Sequence, residues 1–108
     1  AGYRYIALAD SSPGMLLNSG LVTASQHKVI RSAFYSFAAR SGIEKFARKG
    51  ALFTEHEMED GRTAQIWNVH LASPPEGANH YFASAHSARV VRELQLEELS
   101  SWINAEKR

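Results

Sequence analysis

The stretch Thr63-Ala64-Gln65-Ile66-Trp67-Asn68-Val69-His70-Leu71 decides how the chain is read. It follows Glu59-Asp60-Gly61-Arg62, which is itself preceded by a second strand-like run at residues 50–58. Asp-Gly between two such runs is a strong hairpin signal, because both residues tolerate the positive φ that tight hairpin turns demand. Alternation along the returning strand puts Ile66, Asn68 and His70 on one side and Gln65, Trp67, Val69 and Leu71 on the other. Two polar groups therefore share a face at the strand's C-terminal end. A histidine with an ordinary pKa near ~6.5 can donate to a phosphate oxygen or move a proton near neutral pH, and a strand end would position it. The competing reading of His70 is a residue that caps the edge of a core.

Upstream, residues 3–9 read as a strand that stops at the turn formers Asp10-Ser11-Ser12-Pro13-Gly14. Asn18-Ser19-Gly20 opens a second strand at residues 21–25, and Gln26-His27-Lys28 separates it from a third at residues 29–37. These two read as a hairpin. In the third strand Ile30, Ser32, Phe34 and Ser36 fall on one side, with Val29, Arg31, Ala33, Tyr35 and Phe37 on the other, so both faces are mixed. Residues 38–49 carry a basic cluster, Arg40, Lys45, Arg48 and Lys49, and read as a connecting loop.

Downstream, residues 72–87 contain two prolines and a glycine, a length without element signals that is usually functional or disordered in a compact domain. From Ala88 the pattern becomes helical, with Ser87 available as N-cap. Val91, Leu94, Leu99, Trp102 and Ile103 fall on one broad face, and Glu93, Glu97, Ser100 and Asn104 lie opposite. Gln95 lands within the apolar face, where an unpaired amide would cost roughly 1–3 kcal/mol, so it should bond a backbone group or another side chain. The expected fold is α+β, an antiparallel meander of five strands with a C-terminal helix.

The 108 residues suffice for one domain at most. Twelve Lys and Arg against eleven Asp and Glu leave a formal charge of +1, so no bulk field favours nucleic acid or membrane. The chain has no cysteine, which excludes disulfides, thiolate metal sites and a cysteine nucleophile while leaving the compartment open. No leader and no apolar run of about eighteen residues is visible, and the missing initial Met suggests an excised segment.

Rival sites are weaker. Glu55-His56-Glu57 with Glu59 and Asp60 suggests a metal, yet on a strand both glutamates face away from His56. His80 and His86 could join His70 in a three-imidazole zinc site, or lie solvated in the loop. Tyr81 and Phe82 read as loop anchors, with contact to a membrane lipid as the alternative. Trp102 and Ile103 read as core.

Four features in order resemble the endonuclease/exonuclease/phosphatase superfamily. Asn18 to Ser25 (Asn-Ser-Gly-Leu-Val-Thr-Ala-Ser) looks like its glycine-led strand, and Arg48-Lys49-Gly50-Ala51-Leu52-Phe53 like its Lys-Gly strand start. Asn68-Val69-His70-Leu71 resembles its Asn-Thr-His-Leu motif, and Arg92-Glu93-Leu94-Gln95-Leu96 the Arg-x-x-Gln-Leu helix after it. The spacing from Phe37 to Lys49-Gly50 is most similar to neutral sphingomyelinases. The resemblance implies half of a two-sheet sandwich with helices outside, a magnesium ion, and hydrolysis of a phosphoester by metal-assisted in-line attack of water. It implies that His70 donates to the phosphate, that Asn68 supports it, and that Arg48 contacts substrate. Lys49 reads as a solvated or backbone-tethered charge.

The departures bear on activity. Val69 stands where the motif has Thr, and Gln26-His27-Lys28-Val29 lacks the basic residue and proline that commonly follow the serine. The family's metal-binding Glu would lie upstream of residue 1, and its Gly-Asp-x-Asn and Asp-His motifs downstream of residue 108. Residues 1–108 are therefore expected to be the central segment of a domain more than twice as long, with the magnesium ligands outside it. The parent is expected to be a hydrolase acting on a phosphoester, with sphingomyelin, inositol phosphate and nucleic acid all open as substrates. The alternative is a non-catalytic interaction module. The isolated segment is expected to be inactive and to self-associate, since one helix would leave one face of the sheet bare.

Overall fold

The computed structural model describes residues 2–9, 20–39, 49–72 and 82–107. Its elements follow the expected order: β1 (Tyr5–Leu8), β2 (Val22–Ser25), β3 (Lys28–Ser36), β4 (Gly50–Glu57), β5 (Thr63–Val69) and α1 (Phe82–Glu106). The class is α+β, and every strand pairing is antiparallel. The strands divide between two sheets, β1-β2 and β3-β4-β5.

The expected hairpin of residues 21–25 with residues 29–37 does not form. β2 pairs with β1, matching Tyr5 to Ser25 and Leu8 to Val22, and the chain bends at Gln26-His27 into the other sheet. The His27 amide donates to Ser25 Oγ at 2.9 Å, so a side chain satisfies the backbone at this corner. The β4–β5 hairpin does form. Gly61 donates to the Met58 carbonyl at 3.0 Å and adopts φ 86°, the left-handed conformation that closes a three-residue loop. Asp60 accepts from the Arg62 backbone at 3.0 Å and from its Nε at 2.6 Å.

The register sorts the faces. Ala51, Phe53 and Glu55 of β4 face the helix, while Leu52, Thr54 and His56 face the two-stranded sheet. A bulge between Val29 and Arg31 corrects the simple alternation: Val29 sits opposite His56 and Arg31 opposite Glu55, so the two point to different faces. The second face of the sheet is not bare, as a single-sheet reading implies, because β1 and β2 lie against β3 and β4. Ala7 is buried there, whereas Ile6, Leu8, Val22 and Ala24 alternate outward and stay exposed.

On the helix side an aromatic column forms the core. Phe53 stacks obliquely on Trp67 at 4.7 Å, Trp67 meets Tyr35 at 5.5 Å, and Trp102 of α1 lies over Tyr35 at 5.1 Å and Phe37 at 5.0 Å. Phe37 and Phe53 are fully buried, each worth about 1.5–3 kcal/mol relative to exposure. Trp102 is thus core, as its helical spacing implies.

The helix departs from expectation in its start and its face. It begins at Phe82 rather than Ala88, so Ser87 is not its N-cap. Leu94, expected on the packed face, is 47% exposed. The packed stripe runs through Ala88, Val91, Arg92, Gln95, Glu98, Leu99, Trp102 and Glu106, a helical period carrying four polar residues. Each of the four is bonded to the rest of the chain. At the C-terminal end Glu106 accepts from Arg31 Nη2 at 2.7 Å and from the Tyr35 hydroxyl at 2.5 Å. The buried Glu55 accepts from Arg31 Nε at 3.3 Å, and the Arg31 guanidinium lies 4.9 Å above the Phe53 ring.

The Glu106 carboxylate, as acceptor of its hydroxyl, raises the Tyr35 phenol above its ordinary value, and burial adds to the rise. A group raised on folding contributes stability that is fully present below its unfolded pKa, near ~10, and lost as pH climbs through the folded value. Stability to urea should therefore fall with pH above about 10, and Tyr35→Phe should flatten that slope. Identical alkaline slopes for variant and parent would contradict the assignment.

Candidate functional site at the strand ends

Five strand ends gather at one end of the molecule. Leu8 pairs with Val22, Ser36 with Gly50, and Ala51 with Val69, which brings the C-termini of β1, β3 and β5 beside the N-termini of β2 and β4. Asn68 Nδ2 donates to the Val22 carbonyl at 3.0 Å and ties the two sheets together at this rim. Asn68 is therefore an inter-sheet tether as well as a neighbour of His70.

His70 follows directly on β5. Its amide donates to the Gly50 carbonyl at 3.0 Å, extending the ladder by one bond, and the residue is exposed at the rim. Gly50 is packed so closely that a Cβ there would lie 2.8 Å from Phe34 Cζ and inside the contact shell of the Tyr35 carbonyl oxygen. The Lys-Gly pair thus has a steric cause: only glycine lets β4 start against the end of β3.

Lys49 is buried, and its Nζ reaches the Leu71 carbonyl at 3.5 Å. It is the backbone-tethered charge rather than the solvated one. Gln95 bonds the backbone as its position demands: Oε1 accepts from the Ala72 amide at 2.7 Å and Nε2 donates to the Ala39 carbonyl at 2.9 Å. Glu98 extends this docking, accepting from the Ala38 amide at 2.8 Å and the Ala39 amide at 3.1 Å. Glu98 was not among the sequence candidates, although its place three residues after Gln95 puts it on the same helical face.

Arg48, His80 and Tyr81 lie outside the described residues, as do the side chains of Phe82 and His86. The Glu55-His56-Glu57 run is split as its alternation requires. Glu55 is buried towards Arg31, His56 is buried beside Thr54 with Nε2 and Oγ1 2.8 Å apart, and Glu57 is exposed. Among the described residues no group of three or more His, Asp or Glu converges on a point where a metal could sit. The described residues do not by themselves fit a magnesium site. A wide cleft at the opposite end, between Tyr3, Arg4, His27, Lys28 and Glu57, mixes both signs of charge.

No family model and no curated protein matches the chain. Solved structures do share its fold. SmcL superposes with a TM-score of 0.78 at 17% identity, over 98% of this chain and 38% of its own. A crystal structure of beta toxin from Staphylococcus aureus gives 0.81 at 18% identity, over 99% and 40%. A doubly substituted form of that toxin with bound magnesium ions gives 0.76 at 20% identity, over 98% and 39%. The chain therefore spans about two fifths of the length of the structures it matches. The α+β architecture of two antiparallel sheets and a helix is thus the fold of a segment of these larger proteins.

The packing at Gly50 yields a direct expectation. Gly50→Ala should destabilise by about 3 kcal/mol or more, at or above the upper end of the usual overpacking cost, because the added Cβ meets backbone that cannot move aside. Urea melts should show the midpoint collapse, and a loss under about 1 kcal/mol would mean that the β3–β4 approach is looser than described.

Proposed function

We propose that this chain is the central segment of a magnesium-dependent, phosphodiesterase-type hydrolase, in which His70 contacts the scissile phosphate. The observation that carries the reading is the superposition of nearly the whole chain on proteins that include a magnesium-bound toxin. The order of the four sequence motifs, with Asn68 and His70 together at the gathered strand ends, agrees with it. Neutral sphingomyelinase-like activity on a lipid phosphoester is the finer form of the proposal, with a membrane lipid as the physical partner.

In this reading His70 donates a hydrogen bond to a non-bridging phosphate oxygen, stabilising charge that grows in the transition state. Asn68 holds the rim of β5 against β2, so the imidazole is presented by a strand braced on two sides. Arg48 would add a second cation beside the phosphate. The magnesium ligands would come from outside residues 1–108, and the described residues assign none. A non-catalytic interaction module on the same half-sandwich is the competing reading.

In the complete protein, His70→Ala should lower turnover of a phosphodiester by about 10²-fold or more with the fold retained, the scale of a lost transition-state donor. Undiminished turnover in the variant would sink the assignment. The isolated 108 residues should show no magnesium-dependent turnover and should self-associate, because Ile6 at 64%, Leu8 at 63% and Val22 at 49% exposure form an uncovered apolar face on β1-β2. Sedimentation of a stable monomer would contradict the second half of that expectation, and metal-dependent turnover the first.

A further inference from the structure

We propose that Gln95, Arg92 and Lys49 are positioning residues that fix the backbone leaving His70. The proposal rests on the reading of His70 as the phosphate contact. It starts from how densely the two residues after the histidine are held. The Leu71 carbonyl accepts from Lys49 Nζ at 3.5 Å, the Ala72 amide donates to Gln95 Oε1 at 2.7 Å, and the Ala72 carbonyl accepts from Arg92 Nη1 at 3.2 Å. With the His70 amide on the Gly50 carbonyl, four backbone groups in three consecutive residues are anchored.

The same carboxamide reaches the other loop root at this rim. Gln95 Nε2 donates to the Ala39 carbonyl while Glu98 takes the amides of Ala38 and Ala39. One buried side chain thus locks the exits of β3 and β5 to a single helix. Gln95 serves stability as well, since an apolar side chain of similar volume would leave the Ala72 amide and the Ala39 carbonyl without partners, at about 1–3 kcal/mol each. What a satisfied buried polar group adds is one defined geometry. Here that geometry is imposed one and two residues from the group proposed to meet substrate, where a displacement near 1 Å can cost on the order of 10²-fold in rate.

The test is a double-substitution cycle in the complete protein, assayed with magnesium and a chromogenic phosphodiester. Gln95→Met should lower kcat by about tenfold with KM changed less than about twofold. In a His70→Ala background the same substitution should change kcat by less than about twofold, because there is no imidazole left to misplace. Equal losses in both backgrounds would show a merely structural role and overturn the proposal. Arg92→Met, at a partly exposed position, gives a second arm in case Gln95→Met fails to fold, and should show the same dependence on His70 with a smaller loss. If the parent protein turns over no phosphodiester, the functional reading fails by itself. Positioning is then read from the His70 ring resonances, which should shift in Arg92→Met while those of His27 at the opposite end stay fixed; unmoved His70 resonances would overturn it.

Discussion

Everything in this fold follows from one strand that is buried on both faces. From Gly50 to His56, β4 presents no exposed residue, with Ala51, Phe53 and Glu55 under the helix and Leu52, Thr54 and His56 under the second sheet. A strand in that position needs a layer above and a layer below. The aromatic column and α1 supply one, and β1-β2 supply the other. Glu55 has Arg31 and Gln65 as partners and His56 Nε2 has Thr54, while His56 Nδ1 is buried without a hydrogen-bond partner. Removing Arg31 would strand a carboxylate in the interior, so the charged network at the base of the helix is part of the core.

The helix shows how such a layer can be specified by polar rather than apolar contacts. The helix leaves Leu94 and Leu96 exposed over nearly half their surface while burying Gln95 completely. Its seating is therefore set by hydrogen bonds to strand exits and by Trp102, not by a continuous leucine seam. This also orients the molecule, since the Gln95 and Glu98 contacts lie at the rim and the Glu106 contacts at the far end, so α1 runs antiparallel to β3.

Sequence reasoning reached the strands, their order, the hairpin at Gly61 and the buried, backbone-bonded amide of Gln95. These are local signals: turn chemistry, alternation, and the cost of an unpaired amide. It missed what depends on tertiary partners. Nothing within residues 21–37 distinguishes a hairpin from a chain that turns a corner between two sheets, because both need a short turn and strand-forming flanks. The bulge at Val29–Arg31 is equally silent in sequence, yet it decides that Arg31 meets Glu55. Leu94 was misplaced because a hydrophobic period assumes that the packed stripe is apolar, and here the loop roots at Ala39 and Ala72 demand donors and acceptors instead. Of the site, His70 and Asn68 were legible as two polar groups on one strand face. The pairing of Asn68 with Val22 was not, since it requires the second sheet.

The two faces of the sandwich are covered very unequally, and that asymmetry bears on what the rim can do. On the helix side Trp102, Tyr35 and Phe37 close the core, whereas on the other side two four-residue strands cover β3 and β4 and leave β5 partly open, with Ile66 at 46% exposure. The outward set Ile6, Leu8 and Val22 then forms a second apolar surface behind the first. Two short strands make a weak layer by themselves, because marginal pairs of this length gain little beyond what they bury. Asn68 is thus more than a neighbour of the proposed phosphate contact: its bond to the Val22 carbonyl fastens the lightly held sheet to the heavily held one at the edge where His70 emerges. Rigidity at the site is supplied from the helix side, and the Asn68 amide carries it across to β2.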